Sequence, residues 1–324
     1  MIMLIDLNNM CYRALHVHHL SHKGVDTSVE YGTLRMLVGL IHKYKPDAVV
    51  ACADGGTPAY RKKLLPCYKA NRTKDKDDTR DWEDVFRQIN LLTDHVLPMH
   101  GVLVLRKRHI EADDLLYWCA VLSEDTPIIV TADKDLLQAC SIPDAQVLNP
   151  MTGKLYDGKA FIREFSFPPV FFVHFKVMLG DGSDNVPGVK GIGPVAATKV
   201  IQEWRALQHR ITNSVPIAGS MWHCLSFRQQ SSLNDFVGMW QVCYDVMDLS
   251  VDRCGANYAI RLQKDNWCRA ESAQIKMYYM RSGFASMLQD PDIVPSFKRL
   301  AKPLLCPYAS ARAPVVVPVR TPVN

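Results

Sequence analysis

Nine acids stand where a β-rich run gives out or where a helix is about to begin: Asp6, Asp54, Glu111, Asp113, Asp114, Asp133, Asp135, Asp181 and Asp184. Asp6 follows MIMLI, Asp54 follows DAVVACA, and Asp133 with Asp135 follows PIIVTA. Glu111, Asp113 and Asp114 share the string EADD, and Asp181 and Asp184 lie in a glycine-rich stretch. Carboxylates gathered in one place cannot all stay ionised without cations, because each raises the pKa of the next. With no His or Cys among them the ligand set is all oxygen, which selects a hard cation, Mg²⁺ or Mn²⁺. A site holding two or more such ions suits in-line phosphoryl displacement, one ion activating the attacking water and another stabilising the leaving oxygen. Singly, each acid reads equally well as a cap or turn residue. Their coincidence across separate elements favours a site.

The elements that must position them alternate. MIMLI (1–5), DAVVACA (47–53), VLVLR (102–106) and PIIVTA (127–132) read as strands, while 31–45 and 111–124 carry apolar residues at helical spacing. Strand and helix in alternation predict an α/β fold with a parallel, doubly wound sheet. Its functional crevice lies beyond the carboxyl ends of the strands, where these acids fall. After about residue 165 the pattern turns mostly helical: 168–181 and 195–204 flank the turn-rich string DGSDNVPGVKGIGP (181–194), and weaker helical pieces appear at 235–247 and 275–288.

Two further groupings point to a polyanionic partner. In LLPCYKANR (64–72), Tyr68 offers a stacking face beside Lys69 and Arg72. Gly188, Gly191 and Gly193 let backbone N–H groups approach a phosphate ahead of a helix start. The net charge is only +5, but residues 60–80 hold eight Lys/Arg against three Asp. Taking nine clustered acids out of that net leaves +14 on the rest of the chain, a basic body around an acidic hole.

The composition narrows the alternatives. At 324 residues, 48% apolar and 22% charged, the chain can bury a large core. No run approaches the roughly 20 apolar residues that cross a bilayer, and MIMLI is too short for a signal core, so a soluble, unexported protein without a membrane partner is expected. Ten cysteines without a CxxC pair read as reduced thiols of a cytoplasm. GIGPVA (191–196) mimics a dinucleotide fingerprint, yet no strand precedes it and no acid ends a β run about 20 residues later. His16, His18, His19 and His22 lack the oxygen-rich partners of a metal motif, and neither a Walker loop nor a GxSxG elbow is present.

Taken together, LIDLNNMCYRA (4–14), ADGG (53–56), YKANR (68–72), EADD (111–114), TADKDL (131–136) and MLGDGSDNVPGVKGIGP (178–194) resemble the flap endonuclease, or 5′ nuclease, family, most closely its stand-alone phage and bacterial members. The resemblance implies a PIN-like nuclease core (1–165), then a mostly helical helix-three-turn-helix DNA-binding region (166–300) and a proline-rich basic tail (301–324). It implies divalent-metal cleavage of DNA near 5′ ends, flaps or branches, giving 5′-phosphate and 3′-hydroxyl products. Asp6, Asp54, Glu111, Asp113 and Asp114 would form one metal cluster, and Asp133, Asp135, Asp181 and Asp184 the other. Arg13 would lie near the scissile phosphate, Tyr68 would stack, and Lys69 with Arg72 would stand at the foot of an arch over the site. Gly188, Gly191 and Gly193 would shape the turn on the duplex backbone, where carbonyls also suit K⁺.

Val195 departs from the family, which often carries lysine there, so the phosphate contact is expected at Lys190 or Lys199. Ala53 replaces a common aromatic. An RNA/DNA hybrid is a further expected substrate, a replication polymerase on a separate chain a further partner, and a monomer in a bacterial or phage-infected cell the expected state. A PIN-like ribonuclease and a non-catalytic branch-binding protein remain the alternatives.

Overall fold

The computed structural model describes residues 1–17, 20–71, 81–207, 222–255, 258 and 267–305. Its centre is a six-stranded sheet ordered β5-β4-β1-β6-β7-β8, built from β1 (Ile2–Asp6), β4 (Ala48–Ala53), β5 (Leu103–Arg106), β6 (Pro127–Val130), β7 (Gln146–Leu148) and β8 (Leu155–Tyr156). A separate two-stranded ribbon joins β2 (Ser21–His22) to β3 (Val25–Asp26). The first five sheet strands pair in parallel and β8 closes one edge antiparallel. β1, β4 and β6 are buried along their whole length. Strands covered on both faces must be continuously apolar, which is why they stand out in the sequence.

Chain order runs outward from β1 through β4 to β5 on one side and through β6 to β7 on the other. β1 and β6 therefore flank the switch point, where a doubly wound sheet opens its crevice. Asp6 is the last residue of β1, and its carboxylate accepts a bond from Thr131 Oγ1, just past β6, at 2.8 Å.

One face of the sheet is covered by α1 (Leu7–Val17), α2 (Ser28–Tyr44), α4 (Trp82–Leu91), a π turn at Leu92–Val96 and the short α5 (Leu97–Met99). The other carries α3 (Ala59–Leu64), α6 (Ala112–Leu122), α7 (Gly158–Phe165), α8 (Phe172–Leu179), α9 (Pro194–Leu207) and α10 (Phe227–Met247). α8 and α9 flank the expected turn, and α9 starts with proline, whose missing N–H costs a first helical turn nothing.

The expected domain boundaries need correction. Residues 270–300 do not join the helical region: α11 (Ser272–Arg281), α12 (Ala285–Gln289) and α13 (Ile293–Lys298) return to the α1/α2 face, burying Ile275, Tyr279, Met287, Ile293 and Phe297 against it. The expected single helix over 275–288 breaks at Gly283, whose φ of +73° an L side chain rarely adopts. His100 fastens this strap, its ring nitrogen 2.8 Å from the Tyr279 hydroxyl. The tail also starts later than expected: Ala301 N–H donates to Asp47 O at 2.7 Å and Leu305 is buried, so 301–305 belong to the folded body. The rest of the tail, 306–324, lies outside the described residues.

Candidate active site

Four acids from four elements converge at the switch point. Asp6 ends β1, Asp54 follows β4, Asp113 lies in the first turn of α6, and Asp133 follows β6. Their placement is locally specified. Asp54 Oδ1 accepts from Ala112 N at 2.8 Å, so one acid caps the helix that carries the next, at an end whose dipole favours anions. Asp6 Oδ1 accepts from Asn9 N at 3.0 Å, Asn8 Oδ1 accepts from Asp54 N at 2.9 Å, and the Thr131 hydroxyl accepts from Asp133 N at 3.0 Å. The pair Asn8 and Asn9 thus knits two strand ends together, a role the sequence reading missed although both stand in the LIDLNNM string.

These four carboxylates press on one another. Burial, reinforced by the charges of Asp54 and Asp133, pushes Asp6 up to about 7 despite its bonds from Asn9 and Thr131. Asp113 is driven well above the ordinary carboxylate range by burial and then by Asp133, Asp6, Glu111 and Asp54. Crowded anions of this kind are relieved by a bound cation.

The other five acids are partnered by the protein's own cations, which divides the expected single hole. Lys176 of α8 bridges Asp135 at 2.7 Å and Asp181 at 2.8 Å. Against burial, the bonds from Lys176 and Ser183 hold Asp181 down to about 2, whereas burial keeps Asp135 raised to about 6. Lys69 pairs with Glu111 and stands 3.7 Å from Asp184. Glu111 also receives Arg61 Nη1 at 2.7 Å.

Asp114 departs furthest from expectation. It is fully buried and takes Arg61 through two bonds of 2.6 and 2.9 Å and Arg253 through one of 3.0 Å. Both arginines are buried too, and Arg61 Nε donates to Val246 O at 2.8 Å. Its carboxylate is spent on a guanidinium clamp tying α3 and α6 to the end of α10. Among the described residues, no three acids close tightly enough to enclose an ion as they stand.

Tyr68 requires a second correction. It is 4% exposed, and its hydroxyl donates to Asp184 at 2.9 Å and to Glu111 at 3.2 Å, so the ring offers no free stacking face. The segment around it is fixed to the glycine-rich turn: Lys69 N donates to Asp184 O at 2.8 Å, Asn71 Nδ2 to Gly182 O at 2.7 Å, and Asn185 Nδ2 to Cys67 O at 2.9 Å. Two motifs more than 100 residues apart in sequence thereby form one wall. Lys69 stands in that wall, Arg13 points into a neighbouring cavity, and Arg72 lies outside the described residues.

The three glycines of the turn differ from one another. A Cβ on Gly188 would sit 2.4 Å from Leu179 O, and one on Gly180 2.5 Å from Gly188 N, so Gly188 serves close backbone packing and not the expected ligand approach. Gly191, with φ of +81°, and Gly193 face open space, as do the exposed side chains of Lys190 and Lys199. Val195, at 72% exposure, stands uncovered at the start of α9.

Residues 1–166, about half of the chain, match the sequence model of the 5′-3′ exonuclease N-terminal, resolvase-like domain. The chain belongs to this family. The 5′-3′ exonuclease of Bacillus subtilis is 30% identical over 223 residues, which cover 65% of this chain and 73% of that protein. DNA polymerase I of Mycobacterium tuberculosis is 30% identical over 235 residues, 69% of this chain. The chain spans about a quarter of the length of such polymerases. Among solved structures, the bacteriophage T5 D15 protein co-crystallised with metal ions superposes with a TM-score of 0.62 at 17% identity, over 92% of this chain and 97% of that one. Flap endonuclease-1 from Methanococcus jannaschii gives 0.55 at 14% identity, over 92% and 90%. These likenesses show that the family's fold extends past the matched domain into the helical region.

Beyond Asn8 and Asn9, the family member relies on Arg61, Arg253 and Lys176, none of which the sequence reading singled out. Lys176 had a signal: it is the only charge in the apolar run PPVFFVHFKVML. A lone cation in a buried helix needs a counter-ion.

Proposed function

We propose that this protein is a structure-specific 5′ nuclease that hydrolyses DNA phosphodiester bonds near 5′ ends, flaps or branch junctions, leaving 5′-phosphate and 3′-hydroxyl ends. The observation that carries the proposal is the convergence of Asp6, Asp54, Asp113 and Asp133 at the switch point, where burial and mutual repulsion raise Asp6 and Asp113. An all-oxygen, anionic donor set of this kind fits two or more Mg²⁺ or Mn²⁺ ions. Asp6, Asp54, Asp113 and Asp133 would hold one, and Asp135, Asp181 and Asp184 would flank the second, with Asp114 excluded by its arginines. When bound, such ions supply charge that activates water and neutralises the leaving oxygen.

The chain's own residues do the rest. Lys69 and Arg13 flank the cluster and orient a phosphate between them, while the carboxylates exclude the backbone from any other approach. Lys190, Lys199 and the open backbone at Gly191 and Gly193 take duplex phosphates, so the segment from α8 to α9 acts as a helix-three-turn-helix, with its carbonyls suited to K⁺. The bacteriophage T5 flap endonuclease, solved as a complex with DNA and metal ions, supports this reading by its shared fold. An RNA/DNA hybrid is a second substrate to try, and the polymerase relatives make a polymerase the first protein partner to test. The nine described cysteines are all unpaired, which fits a reducing compartment.

The test is cleavage of labelled 5′-flap DNA in Mg²⁺ or EDTA, wild type beside Asp133→Ala. Cleavage near the junction by the wild type alone, abolished by EDTA, is expected. Binding without cleavage in both Mg²⁺ and Mn²⁺ would replace the nuclease with a branch-binding protein, and cleavage confined to RNA would replace it with a ribonuclease.

A further inference from the structure

Beside the acid cluster lies a cavity of about 230 Å³ between α1, α2 and the ends of β6 and β7. Its walls are apolar, formed by Met10, Met36, Leu40, Val130 and Leu148. Arg13, Lys43 and Tyr44 also line it, and among the described residues no carboxylate pairs with Arg13 or Lys43. The Lys43 ammonium rests 5.1 Å from the centre of the Tyr44 ring. Asp6 lines the cavity as well, so it shares a residue with the four-acid cluster. Apolar walls with a few convergent polar groups are the composition of a small-molecule site.

One glycine lines it. Gly39 lies inside α2, where glycine weakens a helix relative to alanine. Neither packing nor backbone demands it there: a Cβ would meet nothing within 4 Å, and its φ is not in the left-handed region. Gly39 lines the cavity and is exposed, so a side chain longer than a methyl there is expected to narrow it.

We propose that this slot binds a single nucleobase of a nucleotide whose phosphate lies at the acid cluster. The chemistry follows from three features together. The volume falls below the roughly 300–1,000 Å³ of drug-sized sites, which suits one ring system and no more. Methionine walls adapt to either face of a flat base, and Arg13 and Lys43, without a carboxylate partner among the described residues, suit the attached phosphate. The shared Asp6 puts base and phosphate within one nucleotide of each other. A base still paired in a duplex cannot enter, so the slot takes one that has left the stack. Its source is either the substrate strand beside the scissile phosphate or a released nucleoside 5′-monophosphate. The choice of nucleotide rests on the nuclease reading.

The probes are dAMP and dCMP, titrated calorimetrically into the full chain as wild type, Gly39→Ala and Gly39→Leu. Both variants favour the helix, so misfolding is not the expected outcome, and Mn²⁺ uptake checks that the acid cluster is intact. Gly39→Leu is expected to weaken nucleotide binding by about tenfold or more, an amount readily resolved, with Gly39→Ala close to wild type. If the substrate's own base is the occupant, Gly39→Leu also raises KM for 5′-ended DNA. If a released nucleotide is, KM holds and inhibition by added dAMP disappears. Either supports the slot. Equal binding of dAMP by wild type and Gly39→Leu overturns it, as does absence of binding together with an unchanged KM. Failure of the wild type to cleave DNA would strike the nuclease reading, and the nucleotide titration would then judge the slot alone.

Discussion

Asp113 and Asp114 share one helical turn, yet their carboxylates meet opposite surroundings. Asp113 looks into a cluster where Asp6, Asp54 and Asp133 add negative charge to the cost of burial. Asp114 is more enclosed still, fully buried, but is held by Arg61 and Arg253. The first arrangement stores electrostatic strain that a cation relieves, and the second is already neutralised. Adjacent acids in an EADD string are therefore not interchangeable. A helix turns about 100° per residue, so one faces the crevice and the other the body of the protein. The same contrast separates the site into an open group, whose members raise one another by burial and repulsion, and a clamped group that carries the fold.

The largest effect expected from this contrast is on catalysis. Asp113→Asn should lower the rate of flap cleavage by about 10³-fold or more, the size of several kcal/mol of lost transition-state stabilisation, when followed by single-turnover kinetics. It should leave thermal stability unchanged or raised, since it removes repulsion. A variant that cleaves normally would mean that Asp113 stands outside the reacting centre.

Asp114→Asn should do the reverse. Removing the shared counter-ion strands the buried Arg253 guanidinium and leaves Arg61 with Glu111 alone, and breaking a buried pair in this way costs about 3–5 kcal/mol. Urea unfolding reads this directly. The folded fraction should keep the wild-type Mg²⁺ requirement. Little change in stability would show that the clamp contributes no more than a surface pair.

A smaller effect is expected at the boundary between the two groups. Lys176 neutralises Asp135 and Asp181 and so competes with any cation for them. Lys176→Met should lower the Mn²⁺ concentration needed for half-maximal cleavage by about tenfold, a change of about 1.4 kcal/mol. A higher requirement would mean that the lysine orients the acids instead of opposing the metal.

The open group was legible in the sequence because Asp6, Asp54 and Asp133 follow a local rule, a continuous apolar run and then an acid where the strand must end, and Asp113 stands in an acidic string at a helix start. Apolar runs placed β1, β4, β5 and β6, and helical spacing placed α2 and α6, to within a few residues. The clamped group was not legible, because an arginine's choice of partner is settled by tertiary packing. Nothing near Arg61 or Arg253 in sequence points to Asp114. Tyr68 misled for a related reason: an aromatic beside two cations reads as a stacking surface until the glycine-rich turn closes over it. The strap of α11 to α13 was assigned to the wrong body because helical periodicity marks an apolar face without saying which surface receives it.

The most direct test of the contrast is a count of bound Mn²⁺ by electron paramagnetic resonance on wild type, Asp113→Asn and Asp114→Asn, at a temperature where circular dichroism shows all three folded. Asp113→Asn is expected to bind less Mn²⁺ than wild type and Asp114→Asn to bind the wild-type amount. Equal losses in the two variants would contradict the contrast and return Asp114 to the metal site.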